Sequence, residues 1–536
     1  MPRYEYRPFP YRTPPELAGD PSHNVPVIIV GAGPVGLAAA IDLALHGIAC
    51  VVLDDNDVVS VGSRAICWSK RTLEIFDRLG VGERMVEKGV TWKVGRLFHR
   101  DREVWNFDLL PEAGHKMPAF INLQQYYVEQ YLVERAADFP DLIDLRWKNK
   151  VTGIDRREGG ASVTVETPDG TYVIDADWVI ACDGARSPVR SMLGLDFAGR
   201  VFEERFLIAD IEMQAEFPSE RWFWFEPPFH NGQSALLHKQ PDNIYRIDLQ
   251  LGWDANPEEE KKPENVIPRI ERVIGHRDFV LDWVSVYTFQ CRRLDRFVHG
   301  RVIFAGDSAH IVSPFGARGG NGGIQDIDNL IWKLSMVIRG DAPESLVATY
   351  DEERIHAADE NILNSSRATC FMTPKTQMER VFRDSVLQLA GEHDFARRLV
   401  NSGRLSRPCS LAGLSLQTPA QGEGLNPGMA MLDAPVRGPQ GDWLLSHVGG
   451  EFAVVAVDAP LPVGLPEKLR TMIVSSGSAP ATDDAMPVLD HQGLVFERYG
   501  SGNVYLVRPD QHIAACFTSP TADAIAGAYA RAAGRA

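Results

Sequence analysis

Residues 25–57, "VPVIIVGAGPVGLAAAIDLALHGIACVVLDDND", limit what this chain can fold into more than any other stretch. An apolar strand, VPVIIV, runs straight into the glycine pattern G-A-G-P-V-G. An Ala/Leu-rich helix follows to about His46, Gly47 stops it, and a second apolar strand, ACVVL, ends at Asp54 and Asp55. Strand, glycine turn, helix, strand and terminal acid are the parts of a βαβ unit that holds a dinucleotide. Gly31 is expected to make the tight turn. Gly33 lets the backbone approach a pyrophosphate, and Gly36 lets the helix lie close on the strand. The helix start offers unpaired amides and the positive end of its dipole. Asp54, directly after VVL, is placed to accept from a ribose hydroxyl. This unit alone does not separate NAD from FAD.

Composition narrows the partners. A net charge of −17 with no long basic run argues against nucleic acid and anionic membrane surfaces. No apolar run reaches the ~20 residues that span a bilayer. The opening "MPRYEYRPFPYRTPPELAGDPSHN" has no apolar signal-peptide core and reads as an arm. The seven cysteines are scattered and never form C-x-x-C, so neither a disulfide framework nor a metal site is expected. The reducing cytoplasm is the expected compartment.

Two more glycine-containing sites follow, "CDGARSPVR" at 182–190 and "AGDSAHIVSPFGARGGNGGIQD" at 305–326. In the second, a proline sets a turn and clustered glycines let backbone approach a ligand closely. Between them the chain turns to short strands rich in β-branched and aromatic residues, such as "RWFWFEP", "QSALLHKQ" and "NIYRIDLQLGW".

The ordered set of three sites resembles the FAD-dependent aromatic hydroxylases related to para-hydroxybenzoate hydroxylase and phenol hydroxylase, over roughly residues 25–400. The resemblance implies an α/β and α+β fold. A Rossmann-like FAD-binding domain (25–200 and 294–400, the second part with long helices) carries an inserted, mostly antiparallel β-sheet substrate domain (201–293). An N-terminal arm (1–24) precedes it. A linker (401–433) rich in Ser, Gly, Pro and Gln leads to a thioredoxin-like domain (434–536). Cys516 is the only cysteine of that last domain, so it is expected to be redox-inert.

The resemblance also implies site residues. Asp307 would accept from the ribityl chain of non-covalent FAD, since a carboxylate beside the pyrophosphate would repel it. The turn after Pro314 would press backbone against the flavin ring. Main-chain amides at Gly319, Gly320 and Asn321 would meet its pyrimidine edge and stabilise negative charge there. Asp183 and Gly184 match a second fingerprint tied to FAD and nicotinamide, and Arg64 and Gln125 match FAD contacts. His310 reads as a packing residue. The implied reaction uses NAD(P)H and O2 and proceeds through a flavin C4a-hydroperoxide to a hydroxylated phenolic or similarly electron-rich ring, water and NAD(P)+. A homodimer is an allowed assembly.

The substrate site is drawn from the sheet: Trp224, Leu236, His238, Tyr245 and Arg246. Phenol hydroxylases of the family place an aspartate at a position that here falls near Ile66, where there is no acid, so the catalytic base is left open, with His238 as candidate. Alternation in "NIYRIDLQL" puts Arg246 and Asp248 on one face, as partners, and Tyr245, Ile247 and Leu249 on the other, taken as the buried face. With Arg246 so paired, the substrate is expected to be a phenol without an essential carboxylate. Two alternatives are a flavin-dependent halogenase, because "RWFWFEP" faintly matches W-x-W-x-I-P although Arg221 and Glu226 break it, and a FAD protein with a lapsed catalytic pocket.

Overall fold

A computed structural model of the chain describes residues 4–19, 24–230, 232–252, 254–400, 407–477 and 485–536. Parts of the arm (1–3 and 20–23) and of the linker (401–406) lie outside the described residues.

The first strand, β1 (Asn24–Val30), helix α1 (Pro34–Leu45) and β2 (Cys50–Leu53) form as the sequence pattern requires. β1 is the centre of a parallel sheet in the order Val302–Phe304, Gly170–Ala181, β1, β2, Ile143–Arg146. Both faces of this sheet are covered, so its strands are apolar throughout rather than alternating. The helix Gly319–Ile338 returns the chain to this domain and packs beside α1.

The second sheet has eight strands, with Ala198–Glu212, Ile244–Leu251, Ala235–Lys239 and Arg221–Phe225 as successive antiparallel neighbours. Its membership differs from the sequence reading at both ends: His310–Ile311, expected in the nucleotide-binding part, pairs antiparallel with Val280–Arg293, and a hairpin joins the far edge. Val94–His99 pairs parallel to Arg221–Phe225, and Arg102–Asp108 pairs with Val94–His99. The hairpin at 94–108, expected in the nucleotide-binding part, therefore extends the substrate sheet. It covers backbone groups that Arg221–Phe225 would otherwise present as an open edge.

Residues 435–518 build a third sheet. Ala453–Val457, Arg470–Ser475 and Met486–Leu489 are parallel, while Asn503–Val507 and Ile513–Thr518 add on antiparallel. This fits the thioredoxin-like expectation, and Cys516 is buried with its thiol pushed up by burial. The stretch 407–433 is not a free linker. Thr418 N donates to Ala514 O (2.8 Å) and Gly428 N to Ile513 O (2.7 Å), and Leu411 and Leu416 are buried. Its polar composition misleads because its backbone finds partners on the third sheet instead of in water.

The arm is pinned by rings. Tyr4 packs on Tyr126 (centroids 4.3 Å apart), and Phe9 stacks on Trp147 (4.5 Å). Among the described residues no helix is long and apolar enough to cross a membrane.

Candidate active site

The three glycine sites converge at the ends of the parallel strands. Gly31 has φ +105°, and a Cβ on it would lie 2.5 Å from Cys182 O. A Cβ on Gly36 would lie 1.9 Å from Gly31 O. Only hydrogen fits at either place. A Cβ on Gly33 would meet nothing within 4 Å, so the space before the helix start is open. Asp54 turns back onto this loop, accepting from Ala32 N (2.6 Å) and Asn56 N (2.9 Å). A carboxylate oxygen can accept more than one bond, so bracing the loop does not exhaust it.

Asp183 Oδ2 accepts from Ser187 Oγ (2.8 Å) and Val189 N (3.0 Å), whereas its Oδ1 is buried with no partner among the described residues. Gly184 sits at φ +77° with open space around it. Gln125 Oε1 accepts from Ala65 N (3.1 Å), and its Nε2 donates to Ser60 Oγ (2.9 Å) and Glu129 Oε1 (2.8 Å). It thereby fixes the loop that carries Arg64, whose side chain is exposed.

Asp307 follows Gly306 (φ +63°), whose amide is held by Asp326 Oδ2 at 2.9 Å. Its carboxylate lies in front of the next helix start, since a Cβ on Gly319 would be 3.8 Å from Asp307 Oδ1. The protein packed around Asp307 pushes its carboxyl above the ordinary range, with His310 opposing and Asp326 adding. His310 Nε2 is 2.7 Å from Asp326 Oδ2, and the ring stacks near Phe297. After Pro314 the backbone runs through Gly316 (φ +101°) and Ala317 (φ +51°) into the helix at Gly319. The amides of Gly319, Gly320 and Asn321 are first-turn groups with no intrahelical partner. Asn321's side chain is fully used, accepting from Ser69 N (2.9 Å) and donating to Cys67 O (2.9 Å). Open space at Gly33, an orphaned acceptor at Asp183 and free amides before Asp307 together fit a dinucleotide with an anionic centre and hydroxylated arms.

The substrate sheet faces this cradle with the side that the sequence reading had turned away. Trp224 and Tyr245 do not reach the cavity. Trp224 stacks on Phe98 (5.4 Å) and meets Phe229 edge-on, and Tyr245 Oη donates to Ala215 O (2.9 Å). Both belong to an outer apolar layer with Ile247, Leu249, Val266 and Ile270, closed by the helix Pro263–Ile274. Both faces of Ala235–Lys239 and Ile244–Leu251 are largely buried, so apolar alternation could not tell inside from outside.

Leu236, His238 and Arg246 are on the inner face. Arg246 is spent there. It donates to Ser63 O (2.7 Å) and Arg64 O (2.8 Å) and pairs with Asp210 Oδ1 (3.2 Å), the residue directly opposite in the antiparallel register. The expected partner, Asp248, is two residues along the same strand, about 7 Å away along the pleat, and makes no hydrogen bond to it. Burial and flanking Arg221 and Arg246 drive His238 well below the usual imidazole range, so it stays neutral and cannot switch near neutral pH. Asp248 is raised to about 6, by burial first, with Arg246 and Arg221 opposing and Asp210 adding. Sequence reasoning gave Asp248 and Arg221 no part in the substrate site, and it passed over Phe223, which stands with Phe225 on the strand Arg221–Phe225.

Those phenylalanines line a cavity with about 660 Å³ of empty space, counted to its open mouth. Its walls are Leu97, Phe223, Phe225, Phe371 and Met372 on one side and Phe315 and Gly316 of the glycine loop on the other. A family model of FAD binding domains matches residues 24–365.

The chain belongs to the FAD binding domain family. This flavoprotein is 34% identical over 348 residues to a flavin-dependent monooxygenase of Mycobacteroides abscessus, covering 62% of this chain and 71% of that one. It is 28% identical over 366 residues to the 3-(3-hydroxy-phenyl)propionate/3-hydroxycinnamic acid hydroxylase of Mycolicibacterium smegmatis, covering 68% of this chain but spanning only 64% of that relative. Its fold matches the crystal structure of the flavin-dependent monooxygenase PieE in complex with FAD and substrate, with a TM-score of 0.80 at 21% identity over 96% of this chain and 100% of that one. The flavoprotein is an enzyme of the monooxygenase class that these relatives represent. The halogenase alternative loses its footing, because the relatives are hydroxylases and the inner face of "RWFWFEP" presents phenylalanines to the cavity.

Proposed function

We propose that this flavoprotein uses NAD(P)H and O2 to hydroxylate a phenolic or similarly electron-rich aromatic ring, and that Asp54, Asp183, Asp307 and the amides of Gly319, Gly320 and Asn321 hold its FAD. One observation carries this reading: the apolar cavity shares Phe315 and Gly316 with the glycine loop that would hold the cofactor, so a ring bound there would face a flavin held by that loop. Bound FAD, reduced by NAD(P)H, supplies the activated oxygen.

The chain's own groups do the rest. The phenyl walls exclude water, which would divert reducing equivalents to H2O2. The helix start at Gly319 offers amides and a positive dipole end to negative charge on the ring system in front of it. Asp248, with a pKa of about 6 on the inner face, is the group this reading assigns to take the phenol proton. His238, held neutral, is a spacer between two arginines. A panel of phenols scored for NADH and NADPH oxidation together with H2O2 release tests the reading. Stimulated oxidation with a hydroxylated product and little peroxide is expected. Oxidation that no aromatic compound stimulates would refute it and favour the lapsed-pocket alternative.

A further inference from the structure

Three arginines line the cavity, Arg96, Arg221 and Arg318. Two are committed. Arg96 is held by Glu220 (2.9 Å) and Glu103 (3.1 Å), and Arg318 donates to Asn361 Oδ1 (2.8 Å). Arg221 is different. Among the described residues its guanidinium makes neither a hydrogen bond nor an ion pair. The acid beside it in sequence, Glu220, is taken by Arg96 and by Trp222 Nε1 (2.8 Å). Across one strand pairing stands neutral His238, and across the other stands Gly95, which has no side chain. The charge of Asp248 is felt at Arg221, but no hydrogen bond joins them. Burial itself works against the guanidinium charge. A largely buried cation without a hydrogen-bonded partner is costly to keep, and the acid that acts on Arg221 from nearby, Asp248, leaves its donors unfilled.

We propose that Arg221 binds a carboxylate of the substrate, so that the native substrate is an aromatic acid rather than a neutral phenol. The proposal rests on the monooxygenase reading of the cavity. A guanidinium presents two parallel donors that match the two oxygens of a carboxylate. Arg221, Phe223 and Phe225 alternate onto one face at about 7 Å steps. A ring held by Phe223, Phe225 and Phe315 therefore directs a short acidic arm along the strand to Arg221. The expectation of a substrate without a carboxylate took Arg246 as the cation of the sheet. With Arg246 consumed by Asp210 and the loop at Ser63 and Arg64, that role falls to Arg221.

The test uses the FAD-loaded enzyme and matched pairs: 3-hydroxybenzoate, 3-hydroxyphenylacetate and 3-(3-hydroxyphenyl)propionate, each against its primary amide. Dissociation constants are read by calorimetry without NAD(P)H. At least one acid should bind tenfold or more tighter than its amide. Arg221→Gln should erase that preference while leaving amide binding within twofold, and Arg221→Lys should restore part of it. The variants are checked for FAD content and thermal unfolding. If Arg221→Gln fails to fold, Arg221→Lys and Arg221→Met decide by the same ratio. No acid preference in the wild type, or one that survives Arg221→Gln, overturns the proposal. Coupled hydroxylation of neutral phenols without acid preference would sink this inference and spare the proposed function. Acid preference set by Arg221, with no aromatic-stimulated NAD(P)H oxidation, would do the reverse.

Discussion

Arg508 and Glu353 face each other in a two-armed ion pair, Nη1 to Oε1 at 2.6 Å and Nη2 to Oε2 at 3.0 Å, with neither side chain reaching solvent. One residue belongs to the third sheet's domain and the other to the helix Ser345–Met372 of the flavin-binding part. Lys333 Nζ adds a second cation to Glu353 at 2.7 Å, and Asp510 a second anion to Arg508 at 2.5 Å. Removing one partner from such a cluster leaves a charge stranded in the interior, which costs about 3–5 kcal/mol. Arg508→Met should therefore lower the urea midpoint markedly, followed by the fluorescence of Trp332, whose ring lies 5.1 Å from the Arg508 guanidinium. An unchanged midpoint would show that the interface does not depend on the pair.

Gly33 and Gly36 should respond differently to alanine. At Gly36 the new methyl collides with Gly31 O, so Gly36→Ala should cost about 1–3 kcal/mol of folding stability. At Gly33 the methyl enters open space, so Gly33→Ala should fold normally and lose FAD affinity. Thermal unfolding of the apoprotein and FAD titration separate the two effects. Equal losses of stability would contradict the geometry.

Asp307→Ala should raise the FAD dissociation constant roughly fivefold to tenfold, the size of one lost hydrogen bond of about 1 kcal/mol. Apoprotein stability should stay the same, because among the described residues the Asp307 carboxylate makes no hydrogen bond to the protein. Apoprotein titration with FAD, followed by quenching of flavin fluorescence, gives the constant.

Asp248 should give the enzyme a titration near pH 6. Its folded pKa lies above its ordinary value of 3.8, so the folded state binds the extra proton between about pH 4 and pH 6. Stability contributed by this group therefore falls as pH rises through that window, and the cost is complete above about pH 6. Asp248→Asn should raise the unfolding temperature at pH 7.5, by up to about 3 kcal/mol in free energy, and leave it unchanged below pH 4. The same substitution should remove an acidic limb near pH 6 from kcat/KM for a phenolic substrate. Arg246, Arg221 and Asp210 are the charged groups acting on it, so Arg221→Gln should shift the limb upward.

The cradle was legible in the sequence because its chemistry is local. Gly31, Gly33 and Gly36 sit within six residues, and each spacing has one steric reading. The same holds for the turn from Pro314 to Asn321. The substrate face was not legible, because its decisive facts are long-range. Arg246 meets Asp210, which is 36 positions away, and not Asp248, which is two away. Trp222 and Trp224 resemble cavity walls as strongly as Phe223 and Phe225 do, and only the covering helix Pro263–Ile274 tells outside from inside. The hairpin at 94–108 joined the sheet from a part of the chain with no marker for it. The stretch 407–433 carried a linker's composition because its backbone, not its side chains, does the attaching.

The helix Gly319–Ile338 begins at the flavin loop and reaches Trp332 and Lys333 at the boundary with the last domain, a span of about 20 Å. A gene shortened after residue 433 would thus encode a chain whose cofactor helix carries, near its far end, a bare indole beside an ammonium group and an acid, all shaped for a missing partner. The boundary that composition draws near residue 434 is therefore not a place where the protein can be cut without baring its interior.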